Sequence, residues 1–209
     1  SPKYVVCNGD ESEPGTFKDR EILLRTPNLV LEGMILAGLL LNAERGYVYI
    51  RHEFEEQIES VRLEIERAKS LGLCGDNILD SGRSFHLEVF VSPGGYICGE
   101  QTALIQAIQD QRAEPRNRPP ELQTNGLWDK PTLLNNVETF AWVPAIVEKE
   151  DGEWYAQQAT KEEFKGARFF SVSGDVNQPA AVEVPIGIKI GELIERCGGM
   201  KNGQKLLAI

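Results

Sequence analysis

The residues best suited to chemistry lie in three short segments. The first, CNGDESEPG, ends an apolar run with Asp10, Glu11 and Glu13 close together. Carboxylates this crowded repel phosphate, yet at the end of a parallel strand they accept hydrogen bonds from sugar hydroxyls and carboxamides. An acidic surface loop is the other reading of the same residues. A calcium loop would need the D-x-D-x-D-G spacing, which is absent.

The second segment, SPGGYICGEQTAL, follows a strand-like run and opens a helical one. Glycines there let a backbone approach a ligand, and free amides at a helix start attract anions. The spacing G-G-x-x-x-G differs from G-x-G-x-x-G, and no Walker lysine follows Gly99, so a nucleotide site and a tight strand-to-helix turn both remain open. Cys98 has no His or Lys close by in sequence and reads as a small buried residue, not a nucleophile. The third segment is Asn135-Asn136, ahead of another helical pattern. Asparagine is a favoured helix cap, and its amide equally suits the donor and acceptor edge of a heterocycle.

Elements must exist to place these segments. KYVVC reads as a buried strand ending at Cys7, and Thr26-Pro27 opens a helix that stops before Gly46. YVYIR, residues 47 to 51, is a second strand. Phe54, Ile58, Val61, Ile65 and Ala68 recur at helical spacing. FHLEVFVS gives a third strand before the glycine segment and its helix. Strand and helix in alternation imply a parallel sheet covered by helices. Residues 110 to 131 are polar and proline-rich without period, a stretch of the kind that binds or contacts. VETFAWVPAIVEK then reads as a helix kinked or interrupted at Pro144.

A change of grammar near Lys165 sets the expected boundary between a domain of residues 1–165 and a module of residues 166–209. In the module, ARFFSVSGDV and AAVEVPIG read as strands, KIGELIERCGG as a short helix and KLLAI as a last strand, a β-grasp-like order.

Composition narrows the partners. Net charge is −10 and the cations are scattered, which disfavours nucleic acid and anionic membranes. The longest apolar stretch, Leu29 to Ala43, is interrupted by Glu32 and is shorter than the roughly 20 residues of a spanning helix, so no direct membrane insertion is expected. Four dispersed cysteines and two histidines offer no metal-ligand spacing and fit a reducing compartment. The abrupt start at SPKYVV suggests a piece of a longer protein.

Taken in order, CNGDESEPGTFKDR, GGYICGEQTAL and LLNNVETFAWVP resemble the FMN-binding flavoprotein subunit of respiratory NADH dehydrogenase (complex I) and the diaphorase subunits of NAD-linked hydrogenases and formate dehydrogenases. FFSVSGDVNQPAAVEVPIGIKIGELIERCGG resembles the ubiquitin-like SLBB module that follows in that family. The resemblance implies a Rossmann-like α/β sheet with helices on both faces, followed by a partial β-grasp module. It implies NADH oxidation by hydride transfer to FMN, with single electrons passed on to an iron–sulfur centre. It also implies other subunits of an NADH dehydrogenase or NAD-linked hydrogenase or formate dehydrogenase as partners, on the cytoplasmic face of such a complex.

Position by position, the likeness assigns Asn8, Asp10, Glu11, Tyr96, Gly99, Glu100, Asn135 and Asn136 to FMN. Glu13, Glu100 and Gln101 fall on the NADH side, and no residue is named as an acid or base catalyst. The chain departs from the family pattern where Gln101 replaces a glutamate and where Arg118-Pro119-Pro120-Glu121 replaces a Lys-Pro-Pro-Phe run whose ring would stack on adenine. Those departures define the alternative, a degenerate member serving as a scaffold. The family's upstream glycine-rich loop and its [4Fe–4S] cysteines match nothing in these residues, so the piece alone is expected to be inactive and to carry little cofactor.

Overall fold

Strand and helix alternate as the apolar periodicity requires. In the computed structural model, which describes residues 2–149 and 152–209, the order is β1 (Tyr4–Gly9), α1 (Lys18–Arg25), α2 (Pro27–Leu41), β2 (Arg45–Arg51), α3 (Glu55–Ser70), β3 (His86–Ser92), α4 (Gln101–Ile108), α5 (Leu122–Asn125), β4 (Thr132–Asn136) and α6 (Val137–Glu148). The four strands form one parallel sheet in the order β3-β2-β1-β4. The chain moves outward from β1 to β3, then returns across the sheet to lay β4 on the other side of β1. That reversal makes the gap between β1 and β4 a topological switch point, where the carboxyl ends of the strands diverge and ligands of α/β folds bind.

Register assigns each side chain to a face. Val6 lies opposite Tyr47 and Leu134, and Asn8 lies opposite Tyr49 and Asn136. Val6, Tyr47, Tyr49 and Leu134 form one core with Leu104, Ile105 and Ile108 of α4 and Leu122 of α5. On the other face α2 packs on β1 and β2, and α3 on β3, over the fully buried Val5, Cys7, Val48 and Ile50. Helices on both faces explain why these strands are apolar runs and not alternating ones.

Two details add to the sequence reading. α6 runs through Pro144, which has no N–H to donate to the Phe140 carbonyl one turn back. Gly33 of α2 sits against that freed oxygen: a Cβ at Gly33 would lie 2.1 Å from Phe140 O. The absent methyl lets α2 cover the gap that the proline leaves. Thr26 does precede the helix start at Pro27, but its hydroxyl donates to Ile22 O (3.2 Å) and does not cap α2.

Contact density divides the chain into two units, one running to Ser12 and from Asp19 to Pro144, the other holding 13–18 and the residues after Pro144. Composition places its boundary later, near Lys165. The second unit contains α7 (Gly152–Ala156), β5 (Ala167–Val172), β6 (Ala180–Pro185) and α8 (Ile190–Arg196), with β5 and β6 antiparallel. Its small core is built from Ala167, Val176, Val184, Leu193 and Cys197. Within it the Phe17 amide donates to Ser171 Oγ (2.9 Å). The strand expected at KLLAI is not formed: these residues pair with no strand among the described residues, and Leu207 is 96% and Ile209 86% exposed. β-branched or apolar character alone does not make a strand without a partner edge.

Candidate functional site

The parallel arrangement brings the carboxyl ends of β1 to β4 to one edge, and the three segments meet there. Asn8, near the end of β1, donates from Nδ2 to the Gly99 carbonyl (3.1 Å) and accepts the Asp10 amide on Oδ1 (3.1 Å). Asn136, at the end of β4, donates to Asn8 O (3.3 Å) and to Asp19 Oδ2 (2.7 Å). Asp10 Oδ2 lies 3.6 Å from where a Cβ on Gly99 would be. Residues about 90 and about 130 positions apart in sequence thus share one hydrogen-bonded cluster.

Asn136 does cap α6, since its Oδ1 accepts the Glu138 amide (3.0 Å), while the same side chain also ties α6 to α1 through Asp19. Asn135 pairs with Cys7 and so points to the opposite face of the sheet from Asn136, which pairs with Asn8. The two asparagines therefore do not act as one pair of amides on one face. Tyr96 lies in a 3-10 turn, Tyr96–Gly99, and is 63% exposed. Gly99 and Gln101 are exposed, Gln101 being the first residue of α4. Glu13 falls in the 13–18 segment of the second unit, where its carbonyl accepts the Thr16 amide (3.2 Å).

The acids divide by what holds them. Glu11 accepts the Asp19 amide (2.6 Å) and the Arg20 amide (3.1 Å) at the start of α1, and pairs with Arg20 Nε at 3.1 Å. Burial pushes its carboxyl above the usual range, against the pull of those donors. Glu100 accepts the Thr102 and Ala103 amides (2.9 and 2.8 Å) as the cap of α4, with its other oxygen 3.4 Å from Arg118. Burial works to raise its carboxyl too, but the Thr102 hydroxyl, the two amides and Arg118 together hold it below the usual range. The amides that would have welcomed a phosphate at α4 are thus occupied by the chain's own carboxylate. Of the two readings of the glycine segment, the strand-to-helix turn describes its geometry, and Gly94 and Gly95, at φ 91° and 116°, supply the backbone that turn needs.

Asp10 is different. It is fully buried; the Ser12 hydroxyl donates to Oδ2, and among the described residues Oδ1 has no hydrogen-bond partner. Burial raises its carboxyl, with Ser12 and Arg51 opposing and Glu53 assisting the rise. A buried acceptor without a donor is rare in native folds, and a group from outside the chain is one way to satisfy it.

Sequence reasoning missed the support beneath these residues. Ser92 Oγ donates to the Tyr49 hydroxyl (2.8 Å) and accepts the Gly94 amide (3.0 Å), fixing the glycine segment from below. Tyr49 stacks on Phe90 at 5.4 Å between centroids. Burial pushes its phenol well above the ordinary range, so it stays neutral. Arg116 ties the 110–131 stretch to α4 and α5 through Thr102, Gln109, Asn125 and Gly126. Arg118 bridges Glu100 and Glu121, 3.6 Å from the latter. A serine two residues before a glycine pair was the only available signal for the first of these. Among the described residues no three His, Cys, Asp or Glu side chains converge on a metal position, and no single helix is long and apolar enough to cross a membrane.

Comparison with known proteins agrees with this fold. The family model described as the Nuo51 FMN-binding domain matches residues 1–145, and that of the SLBB domain matches residues 169–207. An NADH-quinone oxidoreductase subunit of Escherichia coli (strain K12) is 43% identical over 207 residues, covering 99% of this chain and 46% of that protein. NADH dehydrogenase [ubiquinone] flavoprotein 1, mitochondrial, of Dictyostelium discoideum is 41% identical over 203 residues, covering 97% of this chain and 42% of its own length. The crystal structure of an NAD+-reducing [NiFe]-hydrogenase in the H2-reduced state superposes with a TM-score of 0.84 at 36% identity, covering 95% of this chain and 33% of that one. The chain spans about half the length of the curated relatives it matches.

Proposed function

The chain belongs to the Nuo51 FMN-binding family, with an SLBB domain after it, and from that premise we propose that it is part of a flavoprotein subunit that oxidises NADH. One observation carries the reading to this site: the Asp10 loop, the Gly99 segment and the end of β4 are tied together through Asn8 at the switch point, beside the buried Asp10, whose Oδ1 has no hydrogen-bond partner among the described residues. The residues present fit FMN, whose ring N–H and ribityl hydroxyls are donors of the kind Asp10 Oδ1 lacks. When bound, FMN would supply hydride acceptance from NADH and release of single electrons.

The chain's own residues would bind and orient. Asn8, Asp10, Tyr96, Gly99, Glu100 and Asn136 would line the FMN side, with Asn135 reaching it only from the other face of the sheet. Glu11 would act through α1, because its carboxylate already holds that helix. Glu13, Glu100 and Gln101 would address NADH, with Gln101 lowering the negative charge there. Glu121, half exposed and paired with Arg118, gives adenine no ring to stack on, so nucleotide affinity would rest on other contacts. The onward acceptor would be a [4Fe–4S] centre elsewhere in the longer protein. The other partners would be subunits of an NADH dehydrogenase or NAD-linked hydrogenase or formate dehydrogenase on the cytoplasmic side of a membrane.

The test uses the full-length protein. Purified and incubated with FMN, it is expected to show flavin absorption that NADH bleaches anaerobically. A protein that stays colourless would defeat the reading and leave the scaffold alternative.

A further inference from the structure

Asp10 raises a question that family membership does not answer: what opposes the protonation that burial favours at this half-satisfied carboxyl. The cation that acts on it is Arg51, at the end of β2. Glu53 grips one edge of its guanidinium through Nε (3.1 Å) and Nη2, and Phe54 lies below it with 5.9 Å from Cζ to the ring centroid. The edge that remains, Nη1, donates to Ser12 Oγ at 2.7 Å. With that lone pair of Ser12 engaged, its single hydroxyl hydrogen is directed to Asp10 Oδ2. The bonds therefore run one way, from guanidinium to hydroxyl to carboxylate, and each polarises the next.

We propose that Arg51 is a positioning residue for the flavin site: through Ser12 it anchors one Asp10 oxygen and holds the carboxyl charged, so that the other oxygen remains an acceptor for an N–H or O–H of the bound cofactor. This rests on the reading above only for the identity of the ligand. Chemistry sets the direction. A protonated Asp10 becomes a donor and would oppose a ligand donor instead of meeting it. The groups that act on Asp10 are Ser12 on its own loop and Arg51 and Glu53 after β2, with the Tyr49 hydroxyl and Cys98 nearby. Of these only Arg51 carries a positive charge, so losing it raises the Asp10 titration midpoint.

Two measurements on the full-length protein test this. In flavin-free protein, carbon-detected NMR of labelled aspartate, assigned with Asp10→Asn, follows Asp10 directly. Arg51→Gln is expected to move its midpoint upward by about one pH unit or more, the size of effect usual for a lost charge partner. Ser12→Ala should move it the same way, and Ser12→Ala should shrink the further effect of Arg51→Gln. In FMN titrations followed by flavin fluorescence, the parent should bind with a flat profile between pH 6 and 8. Arg51→Gln should bind more weakly at pH 6 than at pH 8. If Arg51→Gln does not fold, the Ser12→Ala titration decides alone. An Asp10 midpoint unmoved in both variants, or a flat FMN profile in a folded Arg51→Gln protein, would overturn the proposal. Failure of the parent to bind FMN would instead remove the functional reading, with the NMR result standing on its own.

Discussion

Two turns leave the same edge of the sheet, one after β1 and one after β3, and both end by placing a carboxylate on the first amides of a helix. Glu11 does so for α1 with its side chain 1% exposed, and Glu100 does so for α4 with 36% exposed. The device is the same, yet their carboxyls shift in opposite directions, Glu11 upward and Glu100 downward. Depth decides between them. At Glu11 desolvation, helped by the negative charge of Asp19, outweighs two amides and an arginine, whereas at Glu100 a similar set of donors outweighs desolvation. The lesson extends to Asp10, equally buried, where one oxygen has no donor among the described residues.

The comparison can be broken by substitution. Glu11→Ala removes a buried cap and ion pair together and is expected to cost about 2 kcal/mol, the upper end for a cap, in urea unfolding. Glu100→Ala should cost about 1 kcal/mol from its cap alone. If the two losses were equal, depth would not be the deciding variable. The Glu100 effect also has a pH signature. Its folded carboxyl lies below the ordinary value of 4.5, so its stabilisation is present above that value and is lost as pH falls through the depressed one. The difference between Glu100→Ala and the parent should fade accordingly in acid melts.

Asp10→Asn sharpens the same point with the opposite sign. A carboxyl raised from 3.8 by burial binds protons more tightly when folded, so its contribution is fullest below 3.8 and is lost as pH rises through the raised value. The asparagine variant should match the parent in acid and gain stability towards neutral pH, by on the order of 1 kcal/mol or less, the scale of an unmet buried polar group. Thermal melts at pH 3 and pH 7 measure it. The smallest effect is expected at Arg118→Ala, within about 0.5 kcal/mol, because its ion pairs to Glu100 and Glu121 are exposed and screened.

How far the sequence reached follows from the range of the forces involved. β1 to β3, α2 and α3 were legible because their apolar periodicity is local and strong. α1 was hidden in the acidic loop, since its start depends on Glu11 reaching Asp19 and Arg20 across a turn. β4 was missed because TLLNN is short and asparagine-rich; only its pairing with β1, about 130 residues away, makes it a strand. That same pairing brings Asn136 beside Asn8, and it also turns Asn135 to the far face, which adjacency in sequence conceals. KLLAI shows the reverse error, a local preference for strand that finds no partner. At the site, residue types announced which side chains mattered, but not which oxygens were already engaged. Glu11 and Glu100 read as ligand groups and are found holding helices, while Arg51, Ser12, Ser92 and Tyr49 carry no motif and hold the site in place.

The central claim is that FMN lies at the switch point between β1 and β4, against Gly99. A crystal of the full-length protein soaked in FMN tests it directly. Difference density for a flat tricyclic ring is expected beside Gly99, with a ring or ribityl donor within hydrogen-bonding distance of Asp10 Oδ1. Ring density on the face covered by α2 and α3, or anywhere away from Asn8, Asp10 and Asn136, would contradict it.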